Sequence, residues 1–173
     1  MESKIVKKNS NAFIEIDGKC FEPLMFRSFR PTPANVSLFY RNGVRLFQML
    51  VSGLFTGMDT PYSLFGPVWI DKDEYDFSAL DRQMELFKRF APDSYYCIFI
   101  QLDAPKKWLE RHPGHESSFE HLECGSFDEE WKRDASEYVR ALIDYAEEKY
   151  GDCIFGYDFC AGRSCEWFAS PNH

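Results

Sequence analysis

The sequence has no long apolar run, no cluster of basic residues and no closely spaced pair of cysteines. No stretch approaches the roughly 20 apolar residues of a membrane-spanning helix, and residues 1–12 lack the apolar segment of a secretory signal. A net charge of −8 without a basic run disfavours binding to nucleic acid or to an anionic membrane surface. We therefore expect a cytoplasmic protein with neither kind of partner.

None of the six cysteines belongs to a C-x-x-C pair, and two of them lie inside apolar runs. Cysteines of this kind are typical of buried thiols in a reducing compartment. One grouping could form a zinc site, namely Cys160 and Cys165 with Cys124 or His121. Its spacing lacks the tight pair that structural zinc sites use, so we expect neither a metal ion nor another cofactor.

Aromatic residues are abundant instead, at 17% of the 173 residues. The first interpretation is an aromatic-rich core, because a hydrophobic content of 45% is enough for one domain with a core. The alternative is that some rings line a binding site, since flat apolar rings suit the faces of sugars. Composition alone leaves both interpretations open.

A hairpin pattern and four apolar strand patterns follow one another along the chain. Asp17-Gly18 between two short alternating runs predicts a β-hairpin over residues 13–22. The predicted strands span residues 24–29, 44–51, 95–102 and 153–159.

Helical patterns separate these strands. Thr32 and Pro33 are an N-cap and a first-turn proline for a short helix. An apolar stripe predicts a second helix over 77–90, and a capping-box signal begins a third over 126–150. Strands that alternate with helices predict a parallel sheet with right-handed crossovers.

The long loops follow strands, whereas the turns after helices are short. Residues that could form a site therefore gather at the carboxyl ends of the strands, where α/β proteins build their sites. The candidates for substrate binding are Arg27, Arg30, Trp69, Asp103, Trp108, His112 and Trp167.

Glu166 is the candidate catalytic residue. It follows the fourth strand and lies between Cys165 and Trp167. A carboxyl group among apolar side chains keeps its proton more readily, so it can act as a general acid. The alternative is an exposed glutamate or an ion pair with Arg163.

Three short segments resemble TIM-barrel glycoside hydrolases. The segment from Gly156 to Phe168 resembles their fourth strand, and the nearest match is to β-galactosidase-like families of the large retaining clan. Ala104-Pro105 with Trp108, followed by His112-Pro113, resembles a loop of such enzymes, and 16–19 resembles their opening hairpin. Many relatives have Asn before the acid/base, where this chain has Cys165, so the sugar contact made there is either made differently or lost.

The resemblance implies an α/β fold of the (βα) TIM-barrel type, with the first four strands of a (β/α)8 barrel preceded by a short β-hairpin. Residues 1–12 would be an N-terminal tail and residues 13–173 the N-terminal half of the barrel, with the hairpin at 13–22 and the βα units at 24–168. A half-barrel exposes two strand edges, so we expect a homodimer joined through them.

The implied function is that of a retaining glycoside hydrolase acting on a β-linked sugar, with Glu166 as general acid/base. Retaining enzymes need a second carboxylate, which these families place on strand seven, so we expect the chain to be truncated and inactive alone. The alternative is a non-catalytic carbohydrate-binding or structural half-barrel remnant. An unrelated open α/β domain that binds a nucleotide is disfavoured, because no glycine-rich loop follows the first strand.

Overall fold

The structure is a computed structural model that describes residues 1–53, 61–113 and 128–161. Its N-terminal part is an antiparallel sheet of β1 (Ser3–Lys8), β2 (Asn11–Ile16) and β3 (Lys19–Phe21). The hairpin expected at 13–22 is confirmed, since β2 and β3 pair around a turn in which Asp17 and Gly18 both have positive φ. Residues 1–12, expected as a tail, contain β1 and the start of β2.

A parallel sheet forms the centre of the molecule. Its strands are β4 (Met25–Arg27), β5 (Leu46–Val51), β8 (Tyr95–Gln101) and β9 (Ile154–Cys160), in the order β4-β5-β8-β9. All three pairings are parallel. The parallel pairing that the sequence predicts for these strands is therefore confirmed.

Two short strands and two helices follow β5 and β8. The segment expected as a loop after β5 contains an antiparallel pair, β6 (Trp69–Asp71) and β7 (Glu74–Tyr75). Helix α2 (Ser78–Phe90) then leads into β8, and the short helix α3 (Lys106–Arg111) follows β8.

Two more helices connect β4 to β5 and lead into β9. Helix α1 (Pro33–Arg41) begins at the expected cap, because the Thr32 side chain accepts a hydrogen bond from the backbone N–H of Asn35. Helix α4 (Glu129–Tyr150) is capped by Asp128, which accepts from two backbone N–H groups of its first turn. The capping-box residue predicted for α4, Ser126, lies outside the described residues.

The main core lies between the parallel sheet and the helices. Alternate residues of β5 and β8 enter it, among them Phe47, Met49 and Ile98, which are fully buried. The helices meet them with apolar side chains such as Phe87 of α2 and Leu142 of α4. A smaller cluster lies apart from this core and consists of Leu50, Tyr62, Phe99 and Cys160.

The TIM-barrel fold class predicted from the sequence is wrong. The protein is a small mixed α/β protein, in which antiparallel sheets accompany one four-stranded parallel sheet. Over the described ranges no regular βα repeat is evident, since a β-hairpin interrupts the unit after β5 and two helices lie between β8 and β9. Alternating strand and helix patterns predict parallel pairing, but they do not specify which sheet a strand joins or whether the sheet closes.

Candidate functional site

A cavity of about 380 Å³ opens at the carboxyl ends of β5 and β8, and we call it the strand-end cavity. The described residues that line this cavity belong to the ends of both strands, to β6, to the start of α3 and to α4. Ligand sites in proteins typically measure about 300–1,000 Å³. The cavity is therefore large enough for a small organic molecule.

Two aromatic rings form one wall of the strand-end cavity. Trp69 of β6 stacks on Tyr138 of α4, with ring centroids 5.1 Å apart and planes inclined by 14°. Burial raises the pKa of the Tyr138 phenol, so this side chain stays neutral at physiological pH. The Trp69 Nε1–H is buried and has no hydrogen-bond partner in the part of the chain that the structure describes.

Polar side chains at the end of β8 line the same cavity. The Gln101 side-chain oxygen accepts a hydrogen bond from the Ser52 hydroxyl, which fixes the amide. The Gln101 Nε2 group is buried and has no partner among residues 1–53, 61–113 and 128–161. Asp103 follows two residues later, and its carboxylate is also almost completely buried.

Ion pairs hold the rim of the cavity together. Arg111 of α3 binds both carboxylate oxygens of Asp71 in the β6–β7 hairpin. These hydrogen bonds, opposed by partial burial, hold the pKa of Asp71 below its usual range. Lys107 of α3 also pairs with Glu74 of β7 at 3.0 Å. The hairpin and α3 therefore form a connected wall.

Trp69 and Asp103 are the two predicted site residues that the structure brings together in this cavity. Sequence reasoning missed Gln101 and Tyr138. A signal for Gln101 exists, because it is a polar residue at the end of the otherwise apolar segment 95–102. Tyr138 gives no such signal, since a tyrosine on the apolar stripe of a helix usually belongs to the core.

Trp108 and His112 belong to a buried cluster between α3 and α4. The Trp108 Nε1–H donates to the Asp134 carboxylate at 2.8 Å, and only 1% of Trp108 is exposed. The His112 ring stacks on the Trp108 ring with centroids 3.8 Å apart. His112 Nε2 lies 3.3 Å from Glu130. Neither predicted residue is among those that line the strand-end cavity, and their predicted contacts with substrate stay predictions.

The two predicted arginines lie on or near β4. The Arg27 guanidinium lies over the Phe99 ring, 4.2 Å from its centroid, and is exposed. In register with Arg27, Gln48 of β5 donates to the Asp158 carboxylate at 3.1 Å. Arg30 is exposed in the segment between β4 and α1. Neither arginine is among the residues that line the strand-end cavity.

The predicted acid/base Glu166 and its neighbour Trp167 lie outside the described residues. Within the described ranges, no group of three His, Cys, Asp or Glu side chains is arranged to hold a metal ion. No helix in those ranges has both the length and the apolar content needed to cross a membrane.

Comparisons with known proteins identify no family for this chain. Neither a protein-family model nor a curated protein sequence matches it. The likeness to glycoside hydrolases therefore depends on the three short segments described above.

Proposed function

We propose that this protein binds a carbohydrate in the strand-end cavity. The observation that carries the proposal is that Trp69 and Gln101 both line this cavity, and that each has a buried side-chain donor, Nε1 and Nε2, without a partner among the described residues. A buried donor without a partner costs about 1–3 kcal/mol. A bound molecule with suitably placed oxygen atoms would remove that cost.

A sugar matches the chemistry of this cavity better than a purely apolar molecule does. Each hydroxyl group both donates and accepts hydrogen bonds, so a sugar can accept from Trp69 and Gln101 and donate to Asp103. The apolar face of a sugar ring can pack against the partly exposed apolar side chains that line the cavity, namely Pro67, Ile70 and Leu109.

Hydrolysis of a β-linked sugar remains the prediction that the sequence resemblance implies. It assigns the general acid role to Glu166, six residues after β9 ends. Two facts support this assignment: β9 is the direct neighbour of β8, and the end of β8 lines the strand-end cavity. Binding without turnover is the alternative, and the two predict different outcomes in one assay.

Binding is tested by titrating the protein with methyl β-galactoside and lactose, using ligand-observed NMR and calorimetry. We expect Trp69→Phe and Gln101→Met to weaken binding roughly threefold to tenfold each, because each variant removes one donor. Trp131→Phe is the matched control, since Trp131 is also buried with an unpartnered Nε1 in the described part of the chain but does not line this cavity. The proposal would be contradicted if neither sugar binds. It would also be contradicted if the two cavity variants and the control bind sugar with equal affinity.

Catalysis is tested separately with 4-nitrophenyl β-galactoside. The hydrolase prediction would be supported if the unmodified protein turns over this substrate and if Glu166→Gln abolishes turnover while it still binds sugar. Binding of sugar with no turnover in the unmodified protein would support the non-catalytic alternative.

A further inference from the structure

A groove lies at the amino ends of the parallel strands, at the opposite end of the sheet from the strand-end cavity, and we call it the basal groove. It has a volume of about 660 Å³ and lies where β5, β8 and β9 begin. Strand β3, helix α2 and the turn before β9 complete its lining. None of its described lining residues also lines the strand-end cavity.

We propose that the basal groove binds a small phosphate monoester. Three cationic side chains line it, from β3, from the residue before β5 and from α2. Ser94 lines it too, and its buried hydroxyl has no partner among the described residues. This site is independent of the proposed sugar site.

The positive charges of the three cations are only weakly neutralised by the described residues. Among the described residues, no carboxylate lies within 4.0 Å of the Lys19 ammonium group of β3. Arg45, next to β5, donates to two backbone carbonyl oxygens, at 2.8 and 2.9 Å, rather than to a carboxylate. Lys88 of α2 lies 4.0 Å from the exposed carboxylate of Asp152. An anion can therefore gain favourable interactions with all three side chains.

Ser94, immediately before β8, also lines the groove. The residue is 4% exposed, and its hydroxyl has no partner within the described ranges. Cys153 lines the groove nearby, and burial raises the pKa of its thiol to about 11, so it adds no negative charge near neutral pH. A hydroxyl beside cationic groups is a common arrangement for phosphate oxygens.

Two carboxylates partly offset the positive charge of the groove. Asp93 and Asp152 also line it, so the described lining carries three positive and two negative charges, a net charge of +1. Phe21 and Tyr95 pack edge to face at 5.2 Å and offer an apolar wall for the organic part of the ligand.

Phenyl phosphate is the probe for this proposal, because it combines a phosphate of charge about −1.5 to −2 at neutral pH with a ring. We expect it to bind the full chain and its affinity to fall as salt increases. Benzyl alcohol, which has the ring without the charge, should bind at least tenfold more weakly. Lys19→Gln and Ser94→Ala should each weaken phenyl phosphate binding about tenfold.

Two control variants make the result specific. Lys72→Gln removes an exposed lysine from the β6–β7 turn, which is not among the residues that line the basal groove, and should leave binding unchanged. Trp69→Phe alters the strand-end cavity and should also leave phenyl phosphate binding unchanged. The proposal is overturned if phenyl phosphate does not bind the folded protein. It is equally overturned if Lys19→Gln and Ser94→Ala bind it as tightly as Lys72→Gln does.

Discussion

Two buried tryptophans illustrate how different the environments of one residue type can be in this protein. Trp108 donates its indole N–H to Asp134, whose carboxylate also accepts from Arg133. Trp131 is nearly as well buried, but its Nε1 has no partner among the described residues. A buried hydrogen bond to a charged group contributes about 1.5–3 kcal/mol, so the two indoles differ in what they add to stability.

We expect Trp108→Phe to lower the free energy of unfolding by about 1–3 kcal/mol more than Trp131→Phe does. Both variants remove a similar volume, whereas only Trp108→Phe removes a donor from the buried Asp134 carboxylate, which then keeps the hydrogen bond from Arg133. Urea unfolding followed by circular dichroism measures the difference. Equal losses in the two variants would show that the Trp108–Asp134 hydrogen bond adds nothing. A sugar titration of Trp108→Phe also tests the predicted substrate contact of Trp108.

At the scale of elements, Gln83 connects α2 to β5. Its side-chain oxygen accepts from the Leu50 backbone N–H at 3.0 Å, and its Nε2 donates to the Leu50 carbonyl oxygen at 3.1 Å. The pairing of β4 with β5 ends at Gln48, so Leu50 lacks a partner on β4. The buried glutamine therefore satisfies a backbone unit that the sheet leaves unpaired.

Gln83→Leu should lower the free energy of unfolding by about 2–3 kcal/mol, because it leaves the buried N–H and C=O of Leu50 without side-chain partners. Glu85→Ala, an exposed change on the same helix, is the control and should stay within about 0.5 kcal/mol of the unmodified protein. Chemical denaturation of the three proteins provides the measurement. A loss for Gln83→Leu no larger than that of the control would rule out this role.

For the whole molecule, Asp81 joins α2 to α4 through several hydrogen bonds. Its carboxylate accepts from the hydroxyls of Tyr145 and Tyr150 and from the Lys149 ammonium, all at 2.8–3.0 Å. Partial burial works to raise the pKa of Asp81. The hydrogen bonds, led by that from Lys149, outweigh it, so the pKa lies below the ordinary value of 3.8.

This lowered pKa predicts how stability depends on acid. The folded state binds the Asp81 proton less tightly than the unfolded state does. The contribution of the Asp81 carboxylate to the free energy of unfolding is therefore complete above about pH 4. It is lost as the pH falls through the folded-state pKa. We expect Asp81→Asn to lower stability by about 1–2 kcal/mol at pH 7 and by clearly less at pH 3.

Urea unfolding at both pH values, with Asp144→Asn as the control on exposed α4 surface, measures this effect. The control should change little at either pH. The prediction would be contradicted if Asp81→Asn lowered the free energy of unfolding by the same amount at pH 3 and at pH 7.

Assembly also belongs to this scale. Among the described strands of the parallel sheet, β4 and β9 each pair on one side only. Unpaired strand edges can pair with a second copy. The homodimer expected from the sequence stays a prediction, and sedimentation velocity measures it directly.

The sequence by itself determined the local elements of this protein. The predicted strands at 44–51, 95–102 and 153–159 agree within two residues with β5, β8 and β9. Thr32 and Pro33 marked the start of α1 correctly. These features depend on apolar periodicity and on capping residues, which are properties of neighbouring positions in the chain.

Only the tertiary structure decided which elements meet. Neither the separation of the N-terminal sheet from the parallel sheet nor the contact between Gln83 and Leu50 follows from any local pattern. The strand-end cavity joins Trp69 to Gln101 and Tyr138, and the basal groove joins Lys19 to Ser94, across large separations in sequence. Such contacts arise when packed elements bury apolar surface together, and periodicity within each element does not specify its partner.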